Sequence, residues 1–399
     1  METKKITDWV NGHFNEIVEA RRHLHMYPEL GEKEFETQRY LLDALKAEGI
    51  ACRELASTGI LAWVNGTGSG NVVGARADID ALPIAEKSEA PYHSRNEGAM
   101  HACGHDAHTA VLLGAAKFFK QHEKEFNGMV KFFFQPAEET VGGAKRMIEE
   151  GCMKDPAVDY VIGLHVSPAH DYNSIELKYG TINACTNEVV LTVKGKSCHG
   201  AYPDKGADAI VIAAQIVTAL QTLVSRRVSP LDKAVLTFGK ISGGDAGNII
   251  ADRVEITGTI RTAKDSTFKM LCSSIREISS SLARAMGGDC DVVIEEGYPQ
   301  LTNDSEVLKI IESNAAALLG ADHVSYKEDI SMGGEDFAYF AQHAKGAFFN
   351  LGCRLTDREP YMLHTRQFDI DERCLKTGVT LQVINILSLL SGQKRQQND

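Results

Sequence analysis

Two short segments of this chain carry side chains that can bind a metal ion and move a proton. The first contains Cys103 and His105, and the second ends in the adjacent carboxylates Glu138 and Glu139. Thiolate, imidazole and carboxylate groups are ligands of hydrolytic metal centres, and a nearby carboxylate that does not bind the metal can serve as the general base. The two segments therefore indicate a metal-dependent hydrolytic site.

The position of these side chains relative to predicted strands strengthens this interpretation. Taken alone, a Cys-x-His pair is typical of a buried thiol beside a histidine, and a Glu-Glu pair is typical of a solvated helix face. Here, however, apolar strand-like runs precede the candidate ligands: residues 130–135 before Glu138 and Glu139, residues 161–164 before His165, and residues 72–77 before Asp78 and Asp80. Sites in open α/β sheets form beyond the carboxyl ends of strands. Together with His364, which also has apolar neighbours, these residues predict one shared site.

The composition is that of a globular protein long enough for two domains. The chain has 399 residues, of which 43% are hydrophobic, and a formal net charge of −12. This charge argues against a nucleic-acid partner, which requires clustered Lys and Arg. We find neither a signal-peptide pattern nor an apolar run of membrane-spanning length, so we expect a cytoplasmic protein without a membrane partner. The nine cysteines show no framework spacing, which indicates reduced thiols.

The helix and strand patterns change character along the chain. The first part alternates helices and strands, as α/β domains do: helical residues 14–48 interrupted at Pro28, strands near 60–65, 72–77, 130–135 and 160–165, and helices near 106–124 and 141–151. The next part has the βαββαβ order of a ferredoxin-like unit: strand 187–194, helix 206–227, strands 234–241 and 253–262, helix 265–287 and strand 289–295. Alternation then resumes with helix 304–319, strand 347–351 and helix 371–391.

The candidate ligands lie on both sides of the ferredoxin-like part. Cys103 precedes it and His364 follows it, so a shared metal requires the first and last parts to form one domain. We therefore predict a metal-binding catalytic domain of residues 1–185 and 296–399, with an inserted lid domain of residues 186–295.

Over almost its whole length the chain resembles the aminoacylase and carboxypeptidase G2-like metallohydrolases, in particular the branch of hippurate hydrolases and plant auxin-conjugate amidohydrolases. The matching motifs include Asp-Ile-Asp-Ala-Leu-Pro at 78–83, His-Ala-Cys-Gly-His-Asp at 101–106, Pro-Ala-Glu-Glu at 136–139 and Gly-Gly-Glu-Asp-Phe at 333–337. The resemblance implies an α/β, zinc-exopeptidase-like catalytic domain with a mixed central sheet. It also implies that the inserted ferredoxin-like α+β domain serves as a lid and in dimerisation.

The resemblance further implies roles for individual residues. The implied metal ligands, which hold two divalent ions per subunit, are Cys103, His105, Glu139, His165 and His364. Cys103 is shared between the ions, and Glu138 is the implied general base. Asp78 and Asp80 stand where the wider superfamily has His-x-Asp, so one usual ligand is missing there and both carboxylates are expected to orient the ligand histidines. The ligand types accept Zn, Mn, Co or Ni and do not decide among them.

Two other interpretations of these residues compete with a hydrolytic metal pair. In one, Cys103 is a nucleophile activated by His105, but the other candidate ligands then have no role. In the other, the metal is structural or sensory, but structural zinc is closed by four ligands, whereas five ligands and a further glutamate describe an open site. We therefore predict hydrolysis of the amide bond of small N-acyl-L-amino acids, hippurate-like or N-acetylated. The alternatives are an N-acetyl-diaminopimelate deacetylase and a dipeptidase or carboxypeptidase.

The inserted domain carries the predicted contacts with the substrate. Arg261 lies on a predicted strand, where its guanidinium can hold the substrate carboxylate, and the resemblance adds Asn248 to it. The resemblance also implies that His199 reaches the active site of a neighbouring subunit and stabilises the oxyanion of the tetrahedral intermediate. This role predicts a homodimer or a tetramer built from dimers. The alternatives are a solvated strand arginine and a surface histidine, and Cys198 before His199 departs from the small residue usual in relatives.

Overall fold

The chain folds into two compact units in a computed structural model, in which residues 1–356 and 359–392 are described. The first unit contains Met1–Gly180, Thr302–Glu328 and the described residues from Asp336 onward, and the second contains Thr181–Leu301 and Asp329–Glu335. The second unit is therefore an insertion that also takes up a short later segment. The sequence did not predict this later segment, Asp329–Glu335.

Strands and helices are numbered along the chain. The strands are β1 (Ala51–Leu55), β2 (Gly59–Asn65), β3 (Val72–Asp78), β4 (Met129–Gln135), β5 (Tyr160–Asp171), β6 (Ile175–Leu177), β7 (Gly180–Asn183), β8 (Cys185–Lys194), β9 (Ala234–Gly243), β10 (Arg253–Thr262), β11 (Asp289–Glu295), β12 (Leu301–Asn303), β13 (Val324–Tyr326) and β14 (Lys345–Arg354). The α-helices are α1 (Thr3–Gly12), α2 (Phe14–Met26), α3 (Phe35–Ala47), α4 (His105–Gln121), α5 (Gly143–Glu149), α6 (Ala209–Thr222), α7 (Asp265–Ala285), α8 (Ser305–Leu319), α9 (Phe337–His343) and α10 (Cys374–Ser391).

The first unit is built on an eight-stranded mixed sheet in the order β1-β2-β4-β3-β5-β14-β6-β13. β4, β3, β5 and β14 are parallel, and the antiparallel strands β2 and β1 extend the sheet beyond β4. Parallel strands with both faces covered consist of continuous apolar runs. β3 is buried along its whole length, and only Arg76 and Asp78 interrupt its apolar run. The predicted α/β class with a mixed central sheet is confirmed.

Helices cover both faces of this sheet, as alternating side chains on β4 show. Phe132 and Phe134 join the core that contains the buried residues of α4 and α10. Phe133 points to the opposite face, where it stacks on Phe340 of α9 with ring centroids 5.0 Å apart. The sheet is therefore a middle layer, and its strand ends are the natural places for polar side chains.

Two helical segments are, by length and composition alone, long and apolar enough to cross a membrane, which the sequence analysis did not anticipate. They are Ala209–Arg227 and Cys374–Ser391, with mean hydropathies of 1.5 and 1.4. In Cys374–Ser391, 67% of the apolar stretch is buried inside the protein, as in the core helix of a globular fold. In Ala209–Arg227 only 33% is buried, so this segment presents apolar surface.

The second unit has the predicted ferredoxin-like order β8-α6-β9-β10-α7-β11. Its four strands form an antiparallel sheet in the order β11-β8-β10-β9, and a core of apolar side chains joins the sheet to α6 and α7. α6 begins at Ala209 rather than at the predicted residue 206, because the Asp208 side chain caps it by accepting from Ile210 N and Val211 N. α6 ends at Thr222 and continues as a π-helical turn, Leu223–Arg227.

Candidate metal centre

The strand ends of the first unit bring the predicted ligands together. Asp78 ends β3 opposite Gln135 of β4, and Glu138 and Glu139 follow three and four residues after Gln135. His165 lies in the neighbouring parallel strand β5. β5 does not end near residue 165 as predicted, but continues to Asp171, so the ring of His165 projects from within the strand.

All five predicted ligands lie around the thiol of Cys103. Its Sγ is 3.3 Å from Nε2 of His165 and 3.3 Å from Nε2 of His364. Nε2 of His364 is also 3.2 Å from Oε1 of Glu139, which lies 4.0 Å from Nε2 of His105. Cys103 thus belongs to two sets of ligand atoms within 4.8 Å of one another, one with His105 and His165 and one with Glu139 and His364. Sharing of one thiolate between two metal positions agrees with this arrangement.

The hydrogen bonds of two histidine rings leave metal-binding nitrogens directed into this cluster. Nδ1 of His165 lies 2.8 Å from the Val166 carbonyl oxygen, and Nδ1 of His105 lies 2.9 Å from the Asp80 carbonyl oxygen. A carbonyl only accepts, so each Nδ1 carries a proton and each Nε2 can offer a lone pair. Nε2 of His105 is buried without a hydrogen-bond partner among the described residues. The residues present therefore fit a bound metal ion.

Burial and nearby charge make the cluster favour a cation. Burial raises the pKa of the Cys103 thiol well above its usual range and lowers the pKa of His165 to about 3. Burial also opposes a charge on His105, but Asp78 and Asp80 outweigh it and hold the pKa of His105 well above its usual range. Because these carboxylates stabilise positive charge at the His105 ring, a divalent ion gains the same stabilisation there.

The two aspartates predicted to orient histidines make different contacts. Asp80 contacts a candidate ligand directly, since its Oδ1 is 3.3 Å from Nδ1 of His105. Asp78 Oδ2 lies 3.6 Å from Nε2 of His105. Asp78 Oδ1 also accepts from Nδ1 of His108 at 2.6 Å, and Nε2 of His108 accepts from Val166 N at 2.8 Å. Asp78 therefore acts on His105 directly and also on the backbone beside His165, through a histidine that is not one of the predicted ligands.

A buried arginine that the sequence analysis did not select supports Asp78. Arg76 donates to Asp78 Oδ2 at 2.8 Å and to Asp336 Oδ1 at 2.7 Å, and all three side chains are buried. Asp336 also accepts from Ala144 N at 3.1 Å. The sequence feature that could have identified Arg76 is its place inside the apolar run of β3, because a fully buried guanidinium requires carboxylate partners.

Left-handed backbone conformations flank the candidate ligands. Gly104, Ala137 and His364 have φ values of 82°, 56° and 63°. A Cβ atom on Gly104 would lie 2.3 Å from Val166 Cγ2, so only glycine fits between Cys103 and α4. Ala137 and His364 adopt this conformation as non-glycine residues, which costs about 1 kcal/mol each. Such strain is typical of functional sites that the surrounding structure holds in place.

Glu138, the predicted general base, lies at the same cluster. Its side chain is 8% exposed, and one carboxylate oxygen lies within 4.8 Å of ligand atoms of His105 and Glu139. The position is close enough for proton transfer with a water molecule at the cluster.

The remaining predicted site residues belong to the second unit. Nδ1 of His199 accepts from Ala201 N at 3.0 Å, so the proton lies on Nε2 of an exposed ring. The carbonyl oxygen of Asn248 accepts from Gly200 N at 2.8 Å, which makes the loops of His199 and Asn248 neighbours. Arg261 is half-buried on β10 and donates from Nη1 to Met332 O at 2.7 Å.

Known proteins are similar to this chain in sequence and in fold. Residues 74–384 match the family described as Peptidase family M20/M25/M40. N-acetyldiaminopimelate deacetylase of Priestia megaterium is 40% identical over 371 residues, 92% of this chain and 96% of that protein. N-acetyl-L-cysteine deacetylase of Bacillus subtilis is 40% identical over 363 residues, 90% of this chain and 85% of that protein. The Bacillus subtilis YXEP protein, described as a dinuclear metal-binding peptidase of the M20 family, matches with a TM-score of 0.83 at 30% identity, covering 95% of this chain and 99% of that one.

An α/β sheet beside a cluster of thiol, imidazole and carboxylate groups fits a metal-dependent hydrolase, and the family match makes it one that acts on amide bonds. The chain belongs to the M20/M25/M40 peptidase family. The predicted membership in an amidohydrolase family is thereby confirmed, whereas the relatives named above do not single out the hippurate hydrolase branch.

Proposed function

We propose that this protein is a metal-dependent deacetylase of N-acetyl-amino acids, which releases acetate and a free amino acid. The observation that carries the proposal is the cluster around Cys103, in which five potential ligands and Glu138 lie close together. The names of the relatives favour N-acetyl over benzoyl substrates, and N-acetyldiaminopimelate is the first candidate. A hippurate-like or dipeptide substrate is the alternative.

Two divalent ions, Zn, Mn, Co or Ni, fit the two ligand sets that share Cys103. The description of the YXEP protein as dinuclear supports a pair rather than a single ion. Bound divalent ions would lower the pKa of a water molecule and polarise the amide carbonyl.

Glu138 has the position of the proton carrier. Its carboxylate takes a proton as the water oxygen attacks the carbonyl carbon, and it returns the proton to the amide nitrogen as the C–N bond breaks. The amine leaves with that proton and also takes up the second proton of the water, so the products are a carboxylate and an ammonium group. Glu139 cannot take this role when its Oε1 binds a metal ion, because its carboxylate is then committed to the metal. The carboxylate of Glu138 can contact the water molecule instead.

The proposed substrate contacts lie in the second unit. The guanidinium of Arg261 can hold the free α-carboxylate, and Asn248 can add an amide hydrogen bond. His199 presents Nε2–H from an exposed loop, which suits donation to an oxyanion.

Apolar surface on the second unit supports a homodimer, or a tetramer of dimers. Ile210 and Val211 of α6 are 49% and 47% exposed, and Ile241 on the edge strand β9 is 59% exposed. A second copy of this chain can cover the helix and pair with the edge strand. The cysteines, all within the described residues, are free thiols, which supports a cytoplasmic location.

A substrate panel tests the proposal. Purified protein with its metal content determined is assayed on N-acetyldiaminopimelate, N-acetyl-L-cysteine, hippurate and a dipeptide, before and after chelation and after addition of each metal. We expect N-acetyl substrates to exceed hippurate by about tenfold or more in kcat/KM, with activity lost on chelation and restored by metal. Undiminished hydrolysis by metal-free protein would overturn the metal mechanism, and a preference for hippurate would overturn the substrate class.

A further inference from the structure

The backbone N–H groups on both sides of Glu138 donate to buried carboxylates. Ala137 N donates to Glu34 Oε1 at 2.8 Å, and Glu139 N donates to Asp80 Oδ2 at 2.9 Å. The side chains of Glu34 and Asp80 are almost entirely buried. The segment that carries the proposed base is therefore held at both flanks, and Glu34 comes from a part of the chain distant in sequence.

The side chain of Glu34 does not make the contact that its place in the sequence favours. Glu34 is the N-cap residue of α3, a position from which a side chain can accept from the first N–H groups of its helix. Its side chain makes no such bond. Instead, Oε2 accepts from Thr58 Oγ1 at 2.7 Å, while Oε1 accepts from Ala137 N. The carboxylate thus faces the loop after β4 rather than its own helix.

The residue that Glu34 holds is strained. Ala137 has a φ of 56° and is fully buried, and its carbonyl oxygen accepts from Gly142 N at 2.9 Å. A left-handed alanine persists only where its surroundings stabilise it. Since Ala137 directly precedes Glu138, relaxation of its backbone would rotate the peptide that carries the base.

We propose that Glu34 is a positioning residue for amide hydrolysis, which fixes the carboxylate of Glu138 through the N–H of Ala137. The inference rests on the proposed function and deepens it, because it concerns the placement of the proposed base. A displacement of a reacting group by about 1 Å costs on the order of 10² in rate. The effect is expected in kcat, because Glu34 is neither one of the proposed metal ligands nor one of the proposed substrate contacts.

Substitutions at Glu34 separate positioning from general stability. Glu34→Ala removes both acceptors and should lower kcat by about 10- to 100-fold, with KM and bound metal near the parent values. Glu34→Gln keeps an oxygen for Ala137 N and can direct its amide to the Thr58 hydroxyl, so it should restore most of kcat. Thr58→Val is the matched control, because it removes the other hydrogen bond of the same carboxylate and should leave kcat unchanged.

Combination with Glu138→Gln shows whether Glu34 acts through the base. In that background Glu34→Ala should cause little additional loss, since residues that act as one unit are not additive. Unchanged kcat in folded Glu34→Ala, loss of its metal, or full additivity would each overturn the inference. Full activity of Glu138→Gln alone would instead overturn the proposed base.

A second variant covers the case in which Glu34→Ala does not fold. The double substitution Glu34→Leu with Thr58→Val replaces both partners of one hydrogen bond by apolar groups, which limits the unpaired groups to Ala137 N. This protein should fold, bind metal and show the same reduced kcat. Failure of both variants to fold would assign Glu34 to folding and overturn its positioning role.

Discussion

The candidate metal centre of the first unit and the proposed substrate residues of the second unit differ in how they are held. Cys103 and His105 are buried, and His105 is fixed by two contacts with Asp80. His199 and Asn248 are exposed and lie on loops. Groups that perform chemistry require fixed geometry, whereas groups on loops tolerate variation. Under the proposed function, the first unit supplies the metal ligands and the base, and the second unit supplies contacts with the substrate and the oxyanion.

Removal of the central thiol should have the largest effect. Cys103→Ala eliminates the group common to both ligand sets, so we expect loss of bound metal and of nearly all hydrolysis. Metal content by mass spectrometry and the hydrolysis rate measure this. Cys198→Ala, a thiol substitution in the second unit, is the control and should retain metal. Equal metal content in both variants would contradict the assignment of Cys103.

Replacement of the base should separate chemistry from metal binding. Glu138→Gln removes a proton acceptor but no proposed ligand, so kcat should fall by about 10²–10⁴ while metal is retained. Glu139→Gln, the neighbouring carboxylate, should lose metal as well as activity. Metal loss from Glu138→Gln would indicate that Glu138 is a metal ligand, and the proposed difference in role between Glu138 and Glu139 would then be wrong.

A histidine of the second unit should matter for kcat only through a second subunit. His199→Ala should lower kcat by about 10²–10³, the usual effect of losing one oxyanion donor. Mixed with inactive Glu138→Gln, it should form heterodimers that regain one working site. No recovery after verified subunit exchange would mean that His199 acts within its own chain or has no catalytic role.

Loss of the carboxylate contact should be smaller and specific to the substrate. Arg261→Ala should lower kcat/KM roughly thirtyfold, which corresponds to about 2 kcal/mol. The effect is at the low end for a charge pair because Arg261 is only half-buried. The loss should appear with the free acid and be nearly absent with the corresponding amide. Equal hydrolysis of the acid and the amide by the parent protein would show that Arg261 does not bind a substrate carboxylate.

A pH effect on stability should be the smallest and confined to the first unit. His25 lies 2.7 Å from Asp106 and 3.3 Å from Glu86, with Arg21 and Tyr92 also against its ring. Burial and Arg21 oppose its charge, but Asp106 and Glu86 outweigh them and raise the pKa of His25 above 6.5. The folded state then binds the proton more tightly, so this stabilisation is complete below pH 6.5 and is lost as pH rises through the folded pKa.

Unfolding by urea at several pH values measures the His25 effect. His25→Gln should flatten the decline of unfolding free energy above pH 6.5, while His122→Gln, on the surface side of the same unit, should leave the slope unchanged. The same slope in His25→Gln and the parent would show that His25 does not carry this pH dependence.

Regular elements with long apolar patterns could be predicted from the sequence, and short or irregular ones could not. The strand predicted at 253–262 and the helix predicted at 304–319 agree closely with β10 and α8. β6 and β13 have three residues each, too few to show a period, and they were missed. Helix α1 was also missed, although its buried face contains Ile6 and Val10.

The residues of the candidate site also divide into those that could be predicted from the sequence and those that could not. Residue types and motif spacing led to Cys103 and Glu138, because ligand chemistry is visible in the sequence. The contacts that hold them were not visible, since they join distant segments. Glu34 reads as an ordinary helix-start acid, yet it binds Ala137 N from 103 residues away. Such tertiary hydrogen bonds leave no local pattern.

The late strand β14 affects how the protein is made. β14 lies between β5 and β6, so those two strands lack their neighbour until residue 354 has left the ribosome. His364 emerges later still. Domains otherwise tend to fold from the amino terminus during translation, and unpaired strand edges promote aggregation. Nascent chains of this protein therefore expose the centre of their sheet for most of synthesis, and premature termination yields products that lack part of the metal site.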